Sequence, residues 1–252
     1  ALNVQKQAPL TANVVGIDER LDALGQVLRP LNLPAADPPK NENQAAAVVC
    51  LHSHRNPEHE QRLAKHLRDA GWQHVSVSSD LAPVIKVLPR AETTVVDAYL
   101  SPIMSRYLDG VERELPNGKL HVMTSAGGLV SRADYRAKDS LLSGPAGGVV
   151  GAAMAGRQTG FERIIGFDMG GTSTDVCRFD GDFDYNYEHR VGRARVIAPV
   201  LAIETVAAGG GSICGFNGDE LFVGPESAGA NPGPACYGAG GPLTITDVNL
   251  LL

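Results

Sequence analysis

The densest chemistry in this sequence lies between Asp168 and Asp175, where two carboxylates bracket Gly170, Gly171 and three consecutive hydroxyl residues, Thr172, Ser173 and Thr174. Glycines lack Cβ atoms, so successive backbone N–H groups can point into one concavity that suits phosphate oxygens. Carboxylates beside such a cradle suit a hydrated Mg2+, which makes Asp168 and Asp175 its candidate holders. The plain alternative is a β-hairpin whose turn merely happens to be glycine-rich. There is no Gly-Lys-Ser/Thr, which excludes a P-loop, and no GxGxxG opens a helix, which removes a dinucleotide fingerprint.

The elements around this stretch follow from its flanks. Ile164, Ile165 and Phe167 predict a buried strand that delivers Asp168 to its end, Gly170-Gly171 a tight turn, and the alternation through Val176 and Phe179 a second strand. Upstream, Ser143 to Gly156 is a helical segment crowded with small residues. Glycine costs about 1 kcal/mol per position inside a helix, so this one must gain by packing closely on another backbone. Downstream, Pro199 to Val206 reads as a strand leading into Ala207-Ala208-Gly209-Gly210-Gly211-Ser212. Asn217-Gly218 then predicts a hairpin between Ile213 to Phe216 and Leu221 to Val223. Gly224 to Pro242 is a long proline- and glycine-rich loop, a length that is generally functional or disordered. Leu243 to Asp247 starts one more element.

Nearer the N-terminus, Ile17 to Leu33 has scattered apolar positions and no evident core, and Pro34, Pro38 and Pro39 lead to a polar connector, Lys40 to Gln44. From Ala45 the pattern sharpens. A strand over Ala45 to Leu51, a helix opened by Asn56-Pro57-Glu58 and stopped at Gly71, and a strand over His74 to Ser78 predict a parallel βαβ unit. His52 and His54 read as a strand-end pair without metal, and His59 and His66 as solvated helix residues. Glu92 to Tyr107 predicts a long helix, kinked at Pro102, whose core stripe is Val96, Tyr99, Leu100, Ile103, Met104 and Tyr107. Leu120 to Met123 reads as a strand, Arg132 to Lys138 as a helix, and Asp80 as a surface-loop residue.

Composition narrows the function classes. With 252 residues, 43% of them hydrophobic, the chain can bury one large core or two smaller ones. A net charge of −6, no basic cluster and few aromatics argue against nucleic acid and anionic membrane as partners. No signal peptide or long apolar span is evident. Cys50, Cys177, Cys214 and Cys236 lie far apart without a zinc-like pair, so a reducing cytoplasm is the default.

Five stretches together carry a family resemblance: MTSAGGL (Met123 to Leu129), SGPAGGVVGA (Ser143 to Ala152), DMGGTSTDV (Asp168 to Val176), AGGGSI (Ala208 to Ile213) and GPESAGANPGPACYGAGGPLTITD (Gly224 to Asp247). In order and spacing they resemble the hydantoinase A and 5-oxoprolinase family from about Ala45 onward. His54 sits where such proteins often have an aromatic, which touches nothing catalytic. IIGFDMGGTSTDV is similar to the second phosphate motif, and SGPAGGVVGAAMAG to the first connecting helix, of the actin, sugar kinase and heat-shock chaperone ATPases. The resemblance implies an α/β, ribonuclease-H-like fold. Residues 1–90 would end an N-terminal hydantoinase/oxoprolinase domain, and 91–252 would form the core domain.

The resemblance also implies ATP and Mg2+ as cofactors and ATP-dependent opening of a cyclic amide such as 5-oxoproline or hydantoin. An ATP-dependent ketone carboxylase subunit and a non-catalytic nucleotide-binding module stay open. Gly170, Gly171 and Thr172, with Ser173 and Thr174, would hold phosphate. Asp168 and Asp175 would position metal or the attacking group, with Asp168 the metal residue, and Gly209, Gly210, Gly211 and Ser212 would line the nucleotide or substrate side. A hydantoinase B-type subunit or domain is the implied partner, and homo-oligomers are left open. The absent initiator Met and the apolar end predict an internal piece of a longer subunit. The family's first phosphate hairpin is not among these residues, so the piece alone is expected to bind ATP weakly and turn over nothing.

Overall fold

A computed structural model describes Leu10, Thr11 and residues 13–252. In chain order the elements are β1 (Asp18–Leu21), β2 (Val27–Asn32), β3 (Ala45–Val48), α1 (Glu58–Asp69), β4 (His74–Val77), α2 (Ser78–Leu81), α3 (Val87–Arg113), β5 (His121–Met123) and β6 (Leu129–Ser131). After these come α4 (Ser143–Gln158), β7 (Ile164–Met169), β8 (Thr174–Phe179), β9 (Tyr185–Val191), β10 (Ala194–Leu201), β11 (Ile203–Val206), β12 (Ser212–Phe216), β13 (Leu221–Ser227) and α5 (Ile245–Leu251). The fold is mixed α/β. It resolves into two compact units, one running up to Leu142 and including Asn186–Val200, the other comprising Ser143–Tyr185 and Leu201–Leu252. No described helix is long and apolar enough to cross a membrane.

In the first unit, β3 and β4 pair in parallel, with α1 as the crossover between them. Asn56 caps α1 by accepting the Glu58 amide (3.1 Å), acids occupy its first turn and bases its last, and a left-handed Gly71 ends it. Leu63 packs on Val48 and Leu31, each such side chain contributing about 1.5–3 kcal/mol by burial. Leu31 belongs to β2, which pairs antiparallel with β1. The segment read as lacking a core therefore forms a hairpin that feeds one, because single apolar residues at Leu21 and Leu31 suffice where the partner surface lies elsewhere in the chain.

Three expectations for this unit need correction. His59 is not solvated: it is 2% exposed, with Nδ1 2.8 Å from Glu19 Oε2, and His66 Nε2 lies 2.9 Å from the Pro34 carbonyl. The covered face of α3 is polar. Arg90, Thr93, Thr94, Asp97 and Ala98 are buried, whereas Tyr99, Ile103 and Tyr107 from the expected core stripe are exposed. Hydrogen bonding explains the inversion: Asp97 accepts from Ser76 Oγ (2.6 Å) and the Lys138 amide (2.9 Å), and Thr93 Oγ1 accepts the Ile197 amide (2.8 Å). The helix runs through Pro102, which is buried. Residues 132–138 do not form a helix. Ser131 closes a turn with Asp134, and with the Lys138 amide committed to Asp97 only a 3-10 turn, Ala137–Ser140, remains. Asp80 is exposed as expected, but lies in α2.

The same unit is organised around a buried ion pair. Arg90 and Glu60 are both fully buried, with Nη1 3.7 Å from Oε1. Arg90 also donates to the Ser53 hydroxyl, to Ser78 Oγ (2.7 Å) and to the carbonyls of Cys50 (2.9 Å) and Leu51 (2.8 Å). Glu60 accepts from the amides of Cys50 (2.6 Å) and Ser79 (2.8 Å) and from Ser78 Oγ (2.6 Å). The pair fixes the turn after β3 to the start of α2. It leaves the His52 and His54 rings 6.0 Å apart in that turn.

In the second unit, β7 and β8 form the hairpin anticipated from the sequence, and β11 joins β8 on the other side in the order β11-β8-β7. The buried residues of α4 are Ala146, Val149, Ala153 and Gly156, a stripe of small side chains. A Cβ on Gly156 would lie 2.5 Å from Ile164 Cδ1, and one on Gly166 would lie 2.5 Å from Cys177 Sγ and 3.6 Å from Ala152 Cβ. At Gly156 close packing thus offsets the helix propensity lost to glycine, whereas Gly144 and Gly151 have nothing within 4 Å of their Cβ positions. The face turned to α4 holds Ile164, Gly166 and Asp168. The other face of β7 is open, and Ile165 and Phe167 are 74% and 69% exposed. The expected buried strand is therefore an edge strand covered on one face only, since the described elements supply a layer on that side alone. The strand expected over Pro199 to Val206 is broken at Ala202, whose amide turns to Asp184 O (2.9 Å), and its first part belongs to a hairpin with β9, counted in the first unit, that the sequence did not reveal. Hairpin β12–β13 matches expectation, with Phe216 opposite Leu221, and β13 runs on to Ser227.

Candidate phosphate-binding site

The geometry of the candidate site begins with the register of the β7–β8 hairpin. Asp168 stands opposite Asp175 and Met169 opposite Thr174, which leaves Gly170 to Ser173 as the turn. The Gly170 amide donates to Ser173 O (2.9 Å) and closes it. Among the described residues, the amides of Gly171, Thr172 and Ser173 find no acceptor in the chain, and Gly170, Gly171 and Thr172 are exposed. Free amides at a solvent-facing turn can donate to an anion.

The two glycine runs singled out in the sequence meet here. Gly210 donates to Gly170 O (3.0 Å) and Gly211 to Gly171 O (2.6 Å), so the Gly209 to Ser212 turn lies directly on the first. A Cβ on Gly209 would come within 2.7 Å of the Gly170 and Gly171 carbonyl oxygens, and one on Gly211 within 2.8 Å of Gly171 O. Gly171, by contrast, has nothing within 4 Å of its Cβ position, and neither Gly170 nor Gly171 has a positive φ. Steric necessity for glycine thus sits on the 209–211 turn, where the approach is too close for any side chain.

Side-chain hydroxyls lock the assembly. Thr174, buried, donates to Ala208 O (2.6 Å), and Ser212 Oγ accepts the Gly209 amide (2.9 Å). Thr205 Oγ1 donates to Asp175 Oδ1 (2.7 Å), so one oxygen of Asp175 is engaged. Asp168 is exposed, and among the described residues no donor takes its carboxylate. Its Oδ2 lies 4.0 Å from the position a Cβ on Gly148 would occupy, which places the second turn of α4 beside it. The two carboxylates therefore differ: Asp168 is open to a ligand and Asp175 is held. Thr172 and Ser173 are the hydroxyl residues of the turn itself. Among the described residues no cluster of three or more His, Cys, Asp or Glu side chains could cage a metal. A pair of carboxylates beside free amides fits Mg2+, which keeps several waters and binds through one or two carboxylates plus phosphate oxygens.

Sequence reasoning missed Thr205 and the brace behind Gly210. Thr246 donates to Gly210 O through both its amide (2.7 Å) and its hydroxyl (2.8 Å). The Thr244-x-x-Asp247 spacing is a capping box and was the readable signal for α5. Thr205 carried none, since a threonine in a strand is ordinary.

Comparison with known proteins identifies the family. Residues 90–252 match the hydantoinase/oxoprolinase family model, and residues 1–71 match the model of the hydantoinase/oxoprolinase N-terminal region. The chain belongs to the hydantoinase/oxoprolinase family. Among its relatives, a 5-oxoprolinase of Saccharomyces cerevisiae is 38% identical over 100% of this chain and 22% of its own length. The caprolactamase subunit alpha of Pseudomonas jessenii is 40% identical over 83% of this chain and 32% of its own. Of solved structures, the ATP-dependent caprolactamase of Pseudomonas jessenii superimposes with a TM-score of 0.74 at 31% identity, covering 100% of this chain and 40% of that one. Nucleotide-free acetone carboxylase, an enzyme of ATP-dependent acetone carboxylation, gives 0.69 at 26% identity over 94% of this chain and 36% of that one. The chain thus spans about a fifth of the 5-oxoprolinase and well under half of the two solved chains.

Proposed function

We propose that this chain is the phosphate-binding part of an ATP-dependent hydrolase that opens a cyclic amide of the 5-oxoproline, hydantoin or caprolactam kind. The observation that carries the reading is the interlock of Gly170–Gly171 with Gly209–Gly211, which holds three unsatisfied amides beside an open carboxylate. Bound with Mg2+, ATP would supply phosphoryl activation of the amide oxygen, which makes the ring carbon hydrolysable. The amides of Gly171, Thr172 and Ser173 and the adjacent hydroxyls would donate to phosphate oxygens. Asp168 would hold the hydrated metal or the attacking group, and Asp175, fixed by Thr205, would supply the second negative charge. In phosphoryl transfer the protein mostly positions and neutralises charge, so this site needs no nucleophilic triad.

The finer reading assigns the actin-like ATPase fold, with residues 1–90 ending an N-terminal domain and 91–252 in the core domain. Its supports are the β7–turn–β8 phosphate hairpin and the small-residue helix α4 running beside it. Four free cysteines fit a cytoplasmic setting, and the caprolactamase relative's designation as a subunit fits a partner of hydantoinase B type. The acetone carboxylase likeness supports a second reading, ketone carboxylation through the same phosphoryl activation.

The test is Asp168→Ala in the full-length enzyme. The rate is expected to fall about a hundredfold, on the order of 3 kcal/mol of transition-state stabilisation, with Asp80→Ala as the unaffected control. Equal activity of the two variants overturns the assignment. A substrate panel of lactams, hydantoins and ketones separates the two readings.

A further inference from the structure

We propose that Thr246, clamped in place by Asp247, is a positioning residue for the phosphate-binding turn, and that the long glycine- and proline-rich loop exists to hold that clamp. The inference rests on the reading of Gly170–Thr174 as the phosphate site. A chain of hydrogen bonds carries it. The Gly170 and Gly171 carbonyls accept from Gly210 and Gly211, and the Gly210 carbonyl in turn accepts two bonds from Thr246. The same Gly210 has its Cβ position 2.8 Å from Thr246 Oγ1, so the contact is tight as well as polar. Thr246 is therefore one residue removed from the turn whose amides face the ligand.

What holds Thr246 is its neighbour. Asp247 is 6% exposed, and its carboxylate gathers the amides of Ala235 (3.2 Å), Cys236 (2.7 Å) and Thr244 (2.7 Å) and the Thr244 hydroxyl (2.9 Å). Thr244 is fully buried. Burial pushes the Asp247 carboxyl up, but the donors from Cys236 and Thr244 outweigh it and hold the group well below the usual carboxylate range. Two of the four donors, the Ala235 and Cys236 amides, come from the body of the loop between β13 and the Thr244 cap of α5, and a further bond, Ala228 amide to Gly211 O (2.9 Å), ties that loop to the glycine turn itself. The loop thus reaches the glycine turn twice, once directly and once through Asp247 and Thr246. A loop that only connected β13 to α5 would need neither bond.

The experiment uses the full-length enzyme, with the Kd for MgATP measured by calorimetry and kcat and KM measured for both ATP and the cyclic amide. Thr246→Val removes the hydroxyl bond and keeps the volume, and it should weaken MgATP binding about tenfold while leaving the KM of the cyclic amide within about twofold, since each 1.4 kcal/mol is a factor of ten. Thr246→Ser restores the bond and should restore the Kd. Gly209→Ala, which drives a methyl into the Gly170 carbonyl, tests the phosphate site itself. Loss of MgATP affinity in both Val and Ala variants, with rescue by Ser, supports the proposal. Loss in Gly209→Ala alone overturns it and leaves the phosphate site standing, whereas loss in neither overturns both. If Thr246→Val does not fold, Thr246→Ala is read in the same way. A drop in kcat per total protein with unchanged Kd and KM marks a purely structural role and overturns the proposal.

Discussion

Removing Arg90 should cost this protein more stability than any other single side chain described above. The guanidinium is fully buried, and its deletion strands two carbonyls, Cys50 and Leu51, the Ser53 hydroxyl and the Glu60 carboxylate. Breaking a buried ion pair from one side typically costs about 3–5 kcal/mol, because the remaining charge is left without compensation. For a chain of this size each 1 kcal/mol lowers Tm by about 2–4 °C, so Arg90→Met should lose roughly 6–20 °C. Arg90→Lys should recover little, since an ammonium lacks the planar fork that reaches two carbonyls and two hydroxyls together. Glu60→Gln should cost a comparable amount, and Arg90→Met/Glu60→Gln should cost clearly less than the sum, because the second change no longer strands a charge. Trp72 is the only tryptophan and belongs to the same compact unit, its Nε1 bonded to Asp37 O (2.9 Å), so fluorescence-detected urea unfolding reads this unit directly. An Arg90→Met variant within about 1 kcal/mol of the parent, or strict additivity in the double variant, would show that the pair is not the organising contact argued here.

Other outcomes follow from single sites. Burial pushes the Cys50 thiol up to about 12, with Glu19 and Glu60 adding to the rise and Arg90 opposing it. The folded state then keeps a proton that the unfolded chain releases above its ordinary thiol pKa of about 8.5. Stability from this group is complete below that value and falls by up to about 1.4 kcal/mol per pH unit toward 12, so Cys50→Ala should flatten the alkaline limb of a urea-midpoint profile, and an unchanged slope refutes it. Iodoacetamide at pH 8 should modify exposed Cys236 while leaving Cys50 intact until denaturant is added, although the hydrogen bond to Asp247 raises the Cys236 pKa and slows its reaction. Gly166→Ala should cost about 1–3 kcal/mol by overpacking against Cys177, and adding Cys177→Ala should recover most of it; failure of the pair to recover would mean that Gly166 is there for another reason.

The hairpin, the small-residue helix and the glycine turns were legible because glycine leaves a strong local signal wherever backbones approach closely. The position of Asp168 and Asp175 on either side of such a turn was legible for the same reason. The covered face of α3 was not, since periodicity assigns the core to Tyr99, Ile103 and Tyr107, whereas burial there follows Asp97 and Thr93, whose partners Ser76, Lys138 and Ile197 are distant in sequence. His59 was misread likewise, because its partner Glu19 lies 40 residues away. The β9–β10 hairpin escaped notice because its turn, at Gly192, lacks the Asn-Gly signature that marked the one at Asn217. Strand burial at Ile165 and Phe167 failed for a different reason: hydrophobicity reports what a face can bury against, and the described layers supply only α4.

The mutual fit of the glycine turns limits how this protein can be recombined with its relatives. Gly209 and Gly211 admit no side chain because of where Gly170 and Gly171 place their carbonyls, and Thr246 is seated on Gly210. Those three stretches therefore travel as one inheritance unit although some eighty residues of chain separate the first from the last. A chimera with a caprolactamase whose crossover falls between Phe179 and Thr205 would draw the two turns from different parents and misalign them by whatever their backbones differ. Crossovers placed before Ile164 or after Leu251 keep the unit whole, and libraries built on those boundaries should yield folded members far more often.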